Sequence, residues 1–229
     1  GSYERVYSAL SHIKETYPEY IPCVLLQMTL VAFSDIIQIA REWNSDGLLK
    51  SFVLSNIHGL SPNFINGVKT VDYEETKQLY LHILDAYEKH QDWVVLKIFL
   101  DECLAYWKDR PIIDAGQSVP MATCMPINSK IYIDSQMQIG ICEKVADKYR
   151  IGNVKNGIDW KRANEIVEEY YHKRVERCKY CPAIRMCDMC LTAVEYSDEQ
   201  WDILCHNERV YAQIFMFLYC EMAERGLIK

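Results

Sequence analysis

The stretch CKYCPAIRMCDMC (residues 178–190) decides how this chain is read. It places Cys178, Cys181, Cys187 and Cys190 in a Cys-x2-Cys-x5-Cys-x2-Cys array, followed by fourteen residues and then Cys205. Upstream stand Cys124 and Cys142. Thiolates are soft ligands, so seven of them in one region select zinc, copper(I) or iron–sulfur clusters. A Cys-x2-Cys turn aims two sulfurs at one metal. The x5 gap is loose for a zinc ribbon but suits a cubane cluster, whose corners lie further apart. Seven thiolates divide as four plus three: four close one cluster, and three leave an iron open or in need of a non-cysteine ligand.

The chain has 229 residues, ten of them cysteine, and a net charge of −7. That length accommodates one large domain or two modest ones with a real core. The acidic balance argues against nucleic acid as a partner, since non-specific binding needs a basic surface. No apolar run approaches the ~20 residues that span a bilayer, so no membrane segment is expected. No signal peptide is visible, and the opening Gly1-Ser2 without Met reads as a cloning scar on an excised segment. Secreted disulfide scaffolds are shorter and carry targeting signals; in a cytoplasmic chain, tight cysteine pairs read as metal ligands.

Working outward, the first half predicts parallel β/α units and the second a small α+β domain. Apolar spacing predicts a helix over 3–17, ended by Pro18 and Pro22. CVLLQMTLV (23–31) reads as a strand buried on both faces, IIQIAREW (36–43) as a helix, and LLKSFVLSNI (48–57) as a second buried strand. Gln27, Ser55 and Asn56 are the polar residues of these strands and so candidate ligand-facing positions. A loop is expected over 59–71, then helices over 73–90, capped by Asp72, and over 93–107. The stretch 109–120, with Pro111, Gly116 and Pro120, marks a boundary between domains 1–110 and 111–229. Beyond it, KIYIDSQMQIGIC (130–142) predicts a hairpin, Asp159 starts a helix over 160–176, and a last helix covers 206–225. The segment 178–205 is poor in aliphatic residues and is expected to order around its metal. Cys23, Cys103 and Cys220 read as core thiols, His206 as a surface histidine, and the acidic helices as solvated faces.

The cysteine order resembles the SPASM domain of radical S-adenosylmethionine (SAM) enzymes. That pattern runs Cys, nine to fifteen residues, Gly, four residues, Cys; then Cys-x2-Cys-x5-Cys-x3-Cys; then a last Cys. Here Cys124, twelve residues, Met137, four residues and Cys142 match the first block, with Met137 in place of Gly. Cys178, Cys181, Cys187 and Cys190 match the second with a final gap of two, and Cys205 matches the last. Ile151-Gly152-Asn153-Val154 is similar to the Gly-Asn step before the SPASM helix. The resemblance covers about 111–229, and the first half resembles the C-terminal part of the radical SAM partial (β/α) barrel.

The resemblance implies two auxiliary 4Fe–4S clusters. Cys124, Cys142 and Cys190 would hold the first, and Cys178, Cys181, Cys187 and Cys205 the second. SAM and a third 4Fe–4S cluster would belong only to a full-length enzyme, because the SAM-cleaving Cys-x3-Cys-x2-Cys motif is absent from this chain. The implied partners are the missing N-terminal radical SAM half and a peptide or protein substrate, as in ribosomal-peptide or sulfatase-type maturases. Zinc is the possible substitute metal. The alternative is a non-catalytic zinc-binding module that interacts with a peptide.

Overall fold

A computed structural model of the chain describes residues 2–59, 69–108, 130–143, 145, 147–184, 186, 187 and 189–228. Among the described residues the fold mixes helices with two small sheets, and it divides into two units. The first comprises residues 1–67, 72–109 and 214–229; the second comprises 68–71 and 110–213. Among the described residues no helix is long and apolar enough to cross a membrane. The expected loop lies largely outside the described residues, including Pro62, Asn63, Asn66 and Gly67, as does the expected boundary with Pro111, Gly116 and Pro120.

In the first unit, α1 (Ser2–Thr16) leads through a 3-10 turn, Pro18–Cys23, into β1 (Leu25–Leu30). After α2 (Ile36–Ser45) comes β2 (Val53–Gly59), which pairs parallel with β1. Among the described residues these two strands are the whole parallel sheet, so no barrel is present there. This corrects the expectation of strands buried on both faces. Leu25 is 63% exposed and Val31 77%. A strand with one neighbour leaves an edge and much of a face uncovered. Leu48 and Leu49 also fall short of the strand: Asp46 Oδ1 accepts from both their backbone N–H groups, at 2.7 and 3.0 Å, and folds them into a turn.

The pairing passes from Leu26↔Leu54 to Gln27↔Asn56, which leaves Ser55 as an extra residue in β2. Its hydroxyl donates to the Leu26 carbonyl at 3.0 Å. The bulge resets the alternation, so that Leu54 and Ile57 are both buried although three residues apart.

Asp72 caps α3 (Tyr73–Lys89) by accepting from the Glu75 backbone N–H at 2.8 Å. The following α4 (Val94–Lys108) buries Val95, Leu96, Phe99, Leu100, Cys103 and Leu104, the 3–4 spacing of a helix with one face in the core. Each large apolar side chain so buried contributes about 1.5–3 kcal/mol of transfer free energy. Tyr80 stacks on Phe99 with ring centroids 5.6 Å apart. Cys103 is a core thiol as expected, whereas Cys23 is exposed. Pro18 and Pro22 keep residues 18–23 in the turn, so the strand begins two residues after Cys23.

In the second unit, β3 (Tyr132–Ile133) and β4 (Gln138–Gly140) form the expected hairpin. Two further strands, β5 (Arg150–Asn153) and β6 (Gly157–Ile158), extend it to a four-stranded antiparallel meander. The β3–β4 turn puts Met137 at φ 61°, the left-handed region that favours glycine. At Gly152, φ is +143° and a Cβ would meet the Gly157 carbonyl oxygen at 2.1 Å, so only glycine fits.

Asp159 caps α5 (Trp160–Cys178) by accepting from the Arg162 N–H at 2.9 Å. The last helix, α6 (Asp198–Glu224), begins eight residues before the expected start. Ser197 and Gln200 form a reciprocal cap: Gln200 Oε1 accepts from the Ser197 N–H at 2.9 Å, and Ser197 Oγ from the Gln200 N–H at 3.3 Å. Its residues to Gln213 belong to the second unit and those from Ile214 to the first. Cys220, expected in the core, is exposed. The buried stripe runs through Val210, Ile214, Leu218 and Met222, and Cys220 lies midway between its last two members.

The segment after α5 also contributes to the core. Cys187, Met189, Leu191, Ala193 and Val194 join Ile139, Ile151, Ile166, Tyr170 and Trp201 in one hydrophobic core, against which Cys142 and Cys205 pack. The segment therefore has an apolar anchor of its own besides its thiols.

Candidate metal centre

Three turns in succession shape the cysteine array. The Cys181 N–H donates to the Cys178 carbonyl at 3.0 Å, Ile184 N–H to Cys181 at 3.2 Å, and Cys187 N–H to Ala183 at 2.8 Å. Cys178 ends α5, so the first sulfur is fixed by the helix and the second by the turn that leaves it. Cys205 lies in the third turn of α6 rather than at its start. It shares a face with Asp202 and Arg209, at spacings of three and four.

Cys178 and Cys187 are buried; Cys181 and Cys205 are half-buried. Charge interactions link Cys178 with Cys181, Cys187 with Cys178, and Cys205 with both Cys178 and Cys181. Burial first, and this mutual repulsion after it, pushes the thiols up: Cys178 upward, Cys187 to about 12 and Cys205 to about 11. For Cys187 the negative charge of Glu208 adds to burial.

Cys142 packs on the same core as Cys187 and Cys205, and Tyr170 feels Cys187 and Cys190 alike, but Cys190 and Cys142 each have a polar neighbour of their own. Cys190 Sγ is 3.0 Å from Thr192 Oγ1, and its charge acts on Tyr170 and Tyr196. Cys142 Sγ is 3.4 Å from Glu143 Oε2, and Glu143 pairs with Lys130, which holds that carboxyl down at about 2. Cys124 lies outside the described residues. Among the described residues no three histidine, cysteine or carboxylate side chains come together closely enough to hold a single metal ion.

Behind the array stands a residue that the sequence reading missed. Arg174, in α5, is 0% exposed. Its Nη1 donates to Tyr170 Oη at 2.7 Å and to the Met189 carbonyl at 2.6 Å, and Tyr170 Oη donates to the same carbonyl at 2.7 Å. Its Nε and Nη2 have no hydrogen-bond partner among the described residues. Burial works against its charge, but Tyr170, Cys187 and Cys178 more than offset that and raise its pKa. Two buried N–H groups without acceptors, beside thiols, are what an anionic thiolate-ligated centre would satisfy. The donor set of Cys178, Cys181, Cys187 and Cys205 fits such a centre in softness and number.

Each candidate region borders a small cavity. One of about 190 Å³ is lined by Arg177, Asp202, Cys205 and Arg209. Arg177 reaches across from α5 to Asp198 at 3.0 Å and Asp202 at 3.4 Å, and so ties α5 to the first turns of α6. The other, of about 120 Å³, lies by Cys142, Tyr132, Tyr149 and Arg150. His206 is exposed, with Nε2 3.3 Å from the Val71 carbonyl, which agrees with its surface reading.

Gln27 and Ser55 are exposed and Asn56 half-buried. Gln27 and Asn56 are partners in the parallel register, while Ser55 closes the bulge.

No family model, no curated protein and no solved structure matches this chain.

Proposed function

We propose that this chain is the auxiliary-cluster portion of a radical SAM enzyme that modifies a peptide or protein, with the second unit as its SPASM-type domain. One observation carries the reading: Cys178 is coupled to Cys181, Cys187 and Cys205, beside a buried guanidinium whose Nε and Nη2 have no acceptor among the described residues. By the resemblance, Cys190 joins Cys124 and Cys142 at a second site. When bound, the iron–sulfur clusters would accept or relay the electron from substrate oxidation, or bind the substrate. The chain's own residues bury the thiolates, exclude water with the Ile166, Tyr170 and Trp201 core, and supply positive charge from Arg174. The parallel two-stranded unit is the proposed remnant of the partial barrel, with Gln27, Ser55 and Asn56 toward SAM or substrate.

Metal analysis tests the reading. The chain, produced and reconstituted anaerobically, should hold about eight iron and about eight sulfide ions, two 4Fe–4S clusters. Zinc without sulfide would contradict it and favour a zinc-binding peptide-interaction module. Without the three-cysteine SAM motif, the loaded chain should form no 5′-deoxyadenosine from SAM.

A further inference from the structure

We propose that Arg174 is the buried counter-cation of the four-cysteine site, beside the more exposed Arg177 and Arg209, and raises the reduction potential of the cluster bound there. The inference rests on the cluster reading above. A buried arginine is costly unless it meets an anion or a full set of acceptors. Among the described residues Arg174 meets neither: one nitrogen is committed to Tyr170 and Met189, and Nε and Nη2 are left over. Its place is fixed from both sides. It sits one helical turn before Cys178 in α5, and its bond to the Met189 carbonyl ties it to the peptide between Cys187 and Cys190.

The surrounding groups make thiolate sulfur the missing partner. Tyr170 already shares Nη1 and is itself pushed up to about 12, first by burial, so it stays neutral at physiological pH. Among the described residues, Cys187 and Cys178 act on Arg174 next after Tyr170. Neutral thiols give a guanidinium little. Thiolates holding a cluster give it negative charge and sulfur acceptors together. Charge near a cluster and N–H bonds to its sulfurs are the protein's main means of tuning its potential. A fixed buried cation favours the reduced, more negative cluster.

The test uses the full chain, loaded anaerobically with ferrous iron and sulfide, and EPR-monitored redox titration of wild type, Arg174→Met and Arg174→Lys. Arg174→Met should shift the reduction equilibrium at least tenfold toward the oxidised cluster, about 59 mV downward for a one-electron couple. Arg174→Lys keeps the charge but loses the planar donors, so its shift should be smaller. Pulsed EPR of the chain grown on 15N-arginine should show a nitrogen coupling at this cluster that persists in Arg177→Lys and Arg209→Lys, which leave Arg174 in place. Unchanged potentials in both Arg174 variants, with no arginine coupling in wild type, would overturn the proposal while leaving the cluster reading intact. A wild-type chain that takes up no iron and sulfide would overturn both.

Discussion

Cys103 in α4 and Cys187 after α5 are both buried, and burial raises the pKa of both thiols. Their neighbourhoods differ. Cys103 sits in a helix face whose other buried members are Val95, Leu96, Phe99, Leu100 and Leu104, in the unit with the parallel strands. Cys187 lies among apolar residues too, but it also feels Cys178, Arg174 and Glu208. A buried cysteine is therefore uninformative alone. What separates a packing thiol from a candidate ligand is whether other thiols and an uncompensated charge share its burial.

The largest test of that contrast is metal loading. Anaerobic addition of iron and sulfide should slow amide hydrogen exchange across 160–205 and leave β1, β2 and α4 unchanged. At 100 times the dissociation constant the gain is about 2.7 kcal/mol, roughly 100-fold in protection. Equal protection of both units, or none, would break the comparison. Next come the two buried thiols. Cys187→Ala should lose one cluster's iron and sulfide, whereas Cys103→Ala should keep full metal content and lose about 1 kcal/mol of stability, as small core truncations do. Metal loss in Cys103→Ala would show that the contrast is misdrawn.

The metal-free chain offers a third test. The thiols of Cys187 and Cys205 have folded-state values of about 12 and about 11, above the ordinary 9.0. Folding therefore favours their protonated form. Their contribution is fully present below pH 9 and is lost as pH rises through about 11 to 12. Denaturant midpoints from pH 8 to 11 should fall, and fall less steeply in Cys187→Ala. A midpoint that rises over this range would contradict the assigned burial. The smallest effect belongs to Met137, which is 60% exposed and so has little packing to lose. Met137→Gly relieves the left-handed backbone at some cost in unfolded-state entropy, a net gain of about 0.5 kcal/mol. A clear loss in thermal stability would show that the side chain contributes more than its exposure suggests.

The helices of both units were legible where a cap announced them: Asp72 and Asp159 accept as their positions suggested. The start of α6 was equally readable in Ser197-x2-Gln200, a capping pair hidden by attention to the cysteines. Asn156-Gly157 carried a turn signal for the second hairpin. The exposure of β1 was not legible, because an apolar run does not say how many neighbours the strand will have. Nor was Arg174. On a helix rich in charged residues it looks solvated, and only the fold turns its side chain inward against Met189. The cysteine spacing suggested soft-metal chemistry. Which sulfurs share surroundings is a tertiary property, visible for Cys178, Cys181, Cys187 and Cys205 only once α5 and α6 are placed.

The most direct test of the account compares Cys205→Ser and Cys142→Ser by Mössbauer and EPR spectroscopy after anaerobic reconstitution. Each variant should lose a different cluster signal and keep the other, because the proposed sets place Cys205 with Cys178, Cys181 and Cys187, and Cys142 with Cys124 and Cys190. If both variants lose the same signal, or neither loses any, the assignment of two separate cluster sites is wrong.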